Sequence, residues 1–213
     1  ILAVSFSLLA APVLMASENW DDHDRSNRYT AIAMAKNYLD SCDKNAILFT
    51  VGDNDTFPLW YAQEIEGYRT DVRIVNTSLL MTDWYIDQMK QKVYDSEGLP
   101  ISFTHSQIVA DNRDIILFQK ETENRWNIND FIAFAKSEDT ITTIEMRNGH
   151  RAHFFPTNKV RIPVDKATVL NRKLVNPKQS DSIVPFIDVD IKGGLLYKNS
   201  LIMLDILNNN HWK

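Results

Sequence analysis

The chain has 213 residues, 44% of them hydrophobic and 24% charged, which is the composition of a globular protein with a sizeable core and room for one fair-sized domain or two small ones. A net charge of −5 with no basic cluster to offset it argues against a nucleic-acid partner. The single cysteine, Cys42, excludes an internal disulfide and falls at helical spacing after Ile32, Ala35 and Leu39, so it reads as core.

Residues 1–17 carry no charge. The first residue is not Met and no basic region precedes the apolar run, so a complete signal peptide is a poor match. The run sits at the lower edge of the roughly 20 residues a membrane span needs. We expect it to be the end of a transmembrane helix, with an ordinary buried helix or strand as the alternative. Glu18 to Arg25 follows with four acids in seven residues and His23 among them. Ser26 is placed to cap a helix from about Asn27 to Cys42.

Ile47-Leu48-Phe49-Thr50-Val51 is an apolar run without alternation, the mark of a strand buried on both faces. Gly52-Asp53-Asn54-Asp55 turns the chain, and Asp55 or Thr56 is placed to cap a helix with Pro58 in its first turn. That helix buries Leu59, Ala62 and Ile65 and stops at Gly67. Asp71 to Asn76 is a second strand, completing a βαβ unit whose carboxylate loop lies at the carboxyl end of its first strand, where open α/β sheets bind ligands. Thr82 is expected to cap a helix to about Tyr94, with Tyr85, Ile86, Met89 and Val93 buried, and residues 96–100 end it.

Further on, Ile115 to Phe118 reads as a short strand and Asn129 as the cap of a helix through Phe131, Ile132, Phe134 and Ala135. The period then shifts toward two on either side of Asn148-Gly149, a hairpin signal. Val160 to Val164 is a strand that Pro163 assigns to an edge. Asp165 caps a short helix to Leu174, Ser182 to Ile191 is strand-like, and Leu195 to Tyr197 leads into a helix through Leu207. A strand is expected to follow, so the chain reads as part of a longer protein. The predicted class is α/β, a Rossmann-like βαβ core with a mixed α+β portion packed against it. In residue numbers this is a membrane-helix end at 1–17, an α/β core at 18–100, and a mixed portion at 101–213 in the same compact domain.

Three groups are candidate ligand-binding residues. Asp53, Asn54 and Asp55 offer hard oxygens to a divalent cation or a polar ligand, but Asp and Asn are favoured in turns and caps in any case. Asp22, His23 and Asp24 have metal-ligand chemistry, though consecutive residues diverge, and an acidic, solvated flank just outside a membrane helix is the favoured reading. The two segments are expected to lie within reach of one ligand. Trp60 and Trp84 both follow strand ends and are placed to form an aromatic wall for the apolar face of a sugar, or else to serve as core. No catalytic residue, metal ligand set or cofactor motif is assigned.

The segments Asn19 to Tyr29, Ile47 to Glu64, Asp71 to Asn76, Leu79 to Met89, Phe155-Pro156-Thr157 and Lys198 to Leu207 resemble bacterial multi-spanning membrane proteins related to protein O-mannosyl-transferases, many of them long described only as a domain of unknown function. The resemblance spans nearly the whole chain and implies a soluble portion on the periplasmic side of the inner membrane, following the last membrane helix. Such glycosyltransferases take sugar from a lipid-phosphate donor and carry their catalytic acid in an early loop between membrane helices, which this sequence does not contain. The resemblance therefore implies a non-catalytic domain that binds acceptor protein or glycan or has a structural role, partnered by the membrane part of the same polypeptide. The alternative is a free-standing α/β enzyme domain using the Asp53/Asp55 loop with a divalent metal.

Overall fold

The computed structural model describes residues 1–147 and 149–210. In chain order the first half runs α1 (Leu2–His23), α2 (Thr30–Asp40), β1 (Ile47–Thr50), α3 (Gly52–Glu64), β2 (Arg73–Asn76), α4 (Asp83–Met89), α5 (His105–Ile108) and β3 (Ile115–Phe118). The second half runs β4 (Trp126–Asn127), α6 (Ile128–Lys136), β5 (Thr143–Glu145), β6 (Arg151–Phe155), β7 (Lys159–Pro163), α7 (Lys166–Asn171), β8 (Phe186–Asp190), β9 (Leu195–Tyr197) and α8 (Lys198–Asn209). With 46% helix and 18% strand, the α/β class is met.

The expected βαβ unit is present: β1 and β2 pair in parallel, Ile47 opposite Arg73 and Thr50 opposite Asn76, with α3 as the crossover. Among the described residues that sheet has two strands. Because strand side chains alternate, Leu48 and Ile74 face α2 and α3, where Ala35, Leu39, Leu59 and Ala62 complete a small core. Ile47, Phe49 and Val75 face the other way, into a larger core with Tyr85, Ile86 and Met89 of α4. Helices α3 and α4 thus cover opposite faces of one narrow sheet.

The larger core continues into two further sheets, ordered β5-β6-β3-β9 and β4-β7-β8. Phe131 of α6 stacks on Phe155 of β6 with ring centroids 3.6 Å apart. Helix α8 closes this core with Leu201 and Ile202 fully buried. Its buried Lys198 donates to the Ile108 carbonyl at 2.7 Å and pairs with Asp114, and Asp205 accepts from the Ser102 amide and hydroxyl, both at 2.6 Å.

Several local expectations change. Helix α2 begins at Thr30 behind Tyr29, without a side-chain cap, and Ser26 lies ahead of it in a turn where its amide donates to the Asp24 carboxylate at 2.8 Å. Helix α3 begins at Gly52, whose φ of +71° turns the chain straight out of β1, so Pro58 falls inside the helix and not in its first turn. Asn127, not Asn129, caps α6: its side chain accepts from the Asn129 amide. Helix α4 ends at Met89, short of Tyr94, which has φ of +50°. Strand β7 is the middle strand of its sheet, yet β4 reaches only Val160 and Arg161, so Pro163 has a neighbour on one side alone and its missing N–H is tolerated. The hairpin pairs Thr143 with His153 and Glu145 with Arg151, and the expected turn residue Asn148 lies outside the described residues. Helix α1 runs past Ser17 to His23, carries the acidic cluster on its last turn, and buries none of its residues. It is long and apolar enough to cross a membrane, with mean hydropathy 1.4.

Candidate functional site

At the carboxyl end of the two-stranded sheet, Asp53, Asn54 and Asp55 form the exposed first turn of α3. Carboxylates there meet the positive end of the helix dipole. Beneath them lies a buried polar lock. The Thr56 hydroxyl donates to the Gly52 carbonyl at 2.6 Å and shares a 2.7 Å hydrogen bond with the Thr50 hydroxyl. The Asn76 side-chain Nδ2 donates to Thr56 Oγ1 at 3.1 Å, while its Oδ1 accepts from the Ser78 and Leu79 backbone amides. From the far side, Asn199 of α8 donates to the Thr77 carbonyl at 3.2 Å. The loop is held rigidly from below, with its acids turned to solvent.

Asp22, His23 and Asp24 are exposed at the end of α1, and their hydrogen bonds run to residues 19–26: His23 Nδ1 to the Asn19 carbonyl, Asp24 to the Ser26 amide, and Arg25 to the Asp22 carbonyl. The Ser26 hydrogen bonds hold the Asp24 carboxyl below its ordinary range. Among the described residues no group of three or more His, Cys, Asp or Glu side chains gathers as a metal site.

The two tryptophans do come together. Trp60 of α3 and Trp84 of α4 line one cleft of about 380 Å³ over the outer edge of β2, within the usual size range of small-ligand sites. Phe57 stacks on Trp60 at 5.5 Å, and Trp84 meets Tyr85 edge to face at 5.6 Å. Trp60 is half-buried, whereas Trp84 is 56% exposed. Both tryptophans thus line this cleft, but it runs along β2 beside Val72, Arg73 and Ile74, and Asp53, Asn54 and Asp55 do not line it. Gln63 and Glu64 of α3, Gln88 of α4, and Tyr94 add polar groups to the lining. The Tyr94 hydroxyl donates to Glu64, fastening one end of the cleft.

Arg73 is the residue that sequence reasoning missed. It is 5% exposed, and its guanidinium donates to the carbonyls of Gln88, Met89 and Gln91 at 3.3, 3.2 and 2.9 Å, with Nε left without a partner. These carbonyls lie at and just beyond the end of α4, so the cation sits at the negative end of that helix's dipole. Burial pulls its pKa down from the usual arginine value. The signal was available: one charge inside the run Val72-Arg73-Ile74-Val75. The i, i+3, i+4 spacing of Trp60, Gln63 and Glu64 likewise marks one helix face.

The fold and site define a mixed α/β domain with a polar-rimmed aromatic cleft, entered from a helix of membrane-spanning length. The family model for TMEM260-associated domain 2 matches residues 31–213, and the chain belongs to that family. No curated protein and no solved structure matches it.

Proposed function

We propose that this chain is the non-catalytic, extracytoplasmic domain of a membrane-embedded glycosyltransferase of the protein O-mannosyl-transferase type, and that it binds acceptor protein or glycan beside the membrane part of the same polypeptide. In a bacterium this places it on the periplasmic side of the inner membrane. The observation that carries the reading is the cleft: two tryptophans on separate helices line it together with polar side chains, a composition suited to stacking and hydrogen bonding a polar ligand. The resemblance to protein O-mannosyl-transferase relatives and the TMEM260-associated family point the same way. Helix α1, unpacked and of membrane-spanning length, supplies the link to a membrane part. The Asp53 loop acts as a rigid wall near the acceptor and has no part in the chemistry.

The test is transfer of labelled sugar from a polyprenyl-phosphate donor, comparing residues 1–213, the longer protein, and the longer protein with Asp53→Asn or Trp84→Ala. The 213-residue chain is expected to give no turnover. Trp84→Ala is expected to raise KM for the acceptor about tenfold with kcat kept, the signature of lost binding. Turnover by the 213-residue chain alone overturns the reading. The metal-dependent alternative requires Mg²⁺, Mn²⁺ or Ca²⁺ to raise the melting temperature, since a ligand of the native state stabilises it; the present reading expects no shift.

A further inference from the structure

We propose that the occupant of the Trp60–Trp84 cleft is an extended polypeptide segment that adds as a third strand to the open edge of β2. This rests on the acceptor-binding reading and names the class of acceptor. The Arg73 amide donates to the Ala46 carbonyl and the Thr77 amide to the Thr50 carbonyl, which fixes Arg73, Val75 and Thr77 as the residues bonded toward β1. Ile74, between them, turns its N–H and C=O the other way.

Along that outer edge the neighbouring groups are already answered. The Val72 carbonyl accepts from the Gln63 side chain at 2.8 Å, and the Asn76 amide donates to the Tyr85 hydroxyl at 3.0 Å. Among the described residues the N–H and C=O of Ile74 have no partner, although Ile74 is only 4% exposed and lines the cleft. Sheet edges in folded proteins are otherwise paired, covered or blunted.

A single ligand residue in the extended conformation presents N–H and C=O on one side, at the spacing Ile74 requires. The acetamido group of a sugar offers the same two functions on a trans amide, where they point in opposite directions and do not both reach Ile74. The walls agree. Because α3 and α4 cover opposite faces of the sheet, side chains alternating along an added strand meet Trp60 on one face and Trp84 on the other.

The experiment uses residues 1–213 in detergent micelles and follows amide hydrogen exchange at Ile74 by NMR. The probes are a short peptide of alternating Thr and Val flanked by Lys, its fully N-methylated copy, mannotriose and chitobiose. The unmodified peptide is expected to slow exchange at Ile74 by about tenfold or more, and Trp84→Ala, at an exposed position, to weaken its binding about tenfold. The methylated copy, unable to pair, is expected to do neither. Equal binding of the methylated copy overturns the inference. Protection by a saccharide and not by the peptide overturns it too, yet leaves a glycan-binding domain standing. Protection by none of the probes overturns the strand addition, while the transfer assay still judges the wider reading.

Discussion

Asp71 illustrates how one residue ties two elements together. Its carboxylate accepts from Arg69 at 2.8 and 3.0 Å and from the Asn45 amide at 3.0 Å, and Arg69 in turn donates to the Leu39, Cys42 and Asp43 carbonyls at the end of α2. The Arg69 hydrogen bonds lower its pKa to about 2. A carboxylate depressed in the folded state stabilises above its unfolded value near 4 and loses that contribution as pH falls toward 2. Urea denaturation at about pH 5 and pH 2.5 should therefore show Asp71→Asn costing on the order of 1–2 kcal/mol at the higher pH and little at the lower. Thr56→Val keeps shape but strips partners from Asn76 and Thr50 in a buried network, so a loss of about 1–3 kcal/mol in the same measurement is expected. At this scale the exposed candidates Asp53, Asp55 and Trp84 were legible as residue types with a known chemistry. Arg69, Arg73 and Asp71 were not, because what they do depends on carbonyls that only tertiary packing brings to them.

At the scale of elements, the segment after α4 shows how little slack the cleft has. Leu99 donates its amide to the Met89 carbonyl at 2.8 Å, and Gly98 passes so close to the helix end that a Cβ there would lie 2.1 Å from the Lys90 carbonyl oxygen. Gly98→Ala is expected to cost on the order of 2–4 kcal/mol, since backbone must move. Gly52→Ala, where a Cβ meets nothing within 4 Å, should cost only the strain of its positive φ, about 1 kcal/mol. Thermal unfolding of the two variants ranks them. The elements with strong hydrophobic runs, β1, β2, β3, α6 and α8, were legible in sequence because burial dictates their pattern. Their ends were not. Arg73 donates to carbonyls at the end of α4, Asn127 caps α6 two residues before the expected Asn129, and a positive φ at Gly52 starts α3 before its proline, and each of these is settled by local hydrogen bonds or a dihedral that periodicity does not carry.

For the whole molecule, the class and the βαβ unit followed from the sequence, whereas the three-sheet arrangement rests on pairings such as β3 with β9, residues 115–117 against 195–197, that no local pattern encodes. Helix α1 contributes nothing to either core. Its removal is expected to leave the melting temperature of the remainder unchanged and to abolish membrane association, checked by scanning calorimetry and vesicle flotation. The division into two cores also has a consequence for how the chain is made. The smaller core draws every member from residues 32–74, so its contacts are local and it is complete as soon as β2 has emerged from the ribosome. The larger core draws on residues up to Ile206. Until α8 arrives, the buried faces of β3 and α6 wait without their cover. During synthesis the protein therefore carries a finished small core, with β2 already paired to β1, tethered to a larger core still in search of α8.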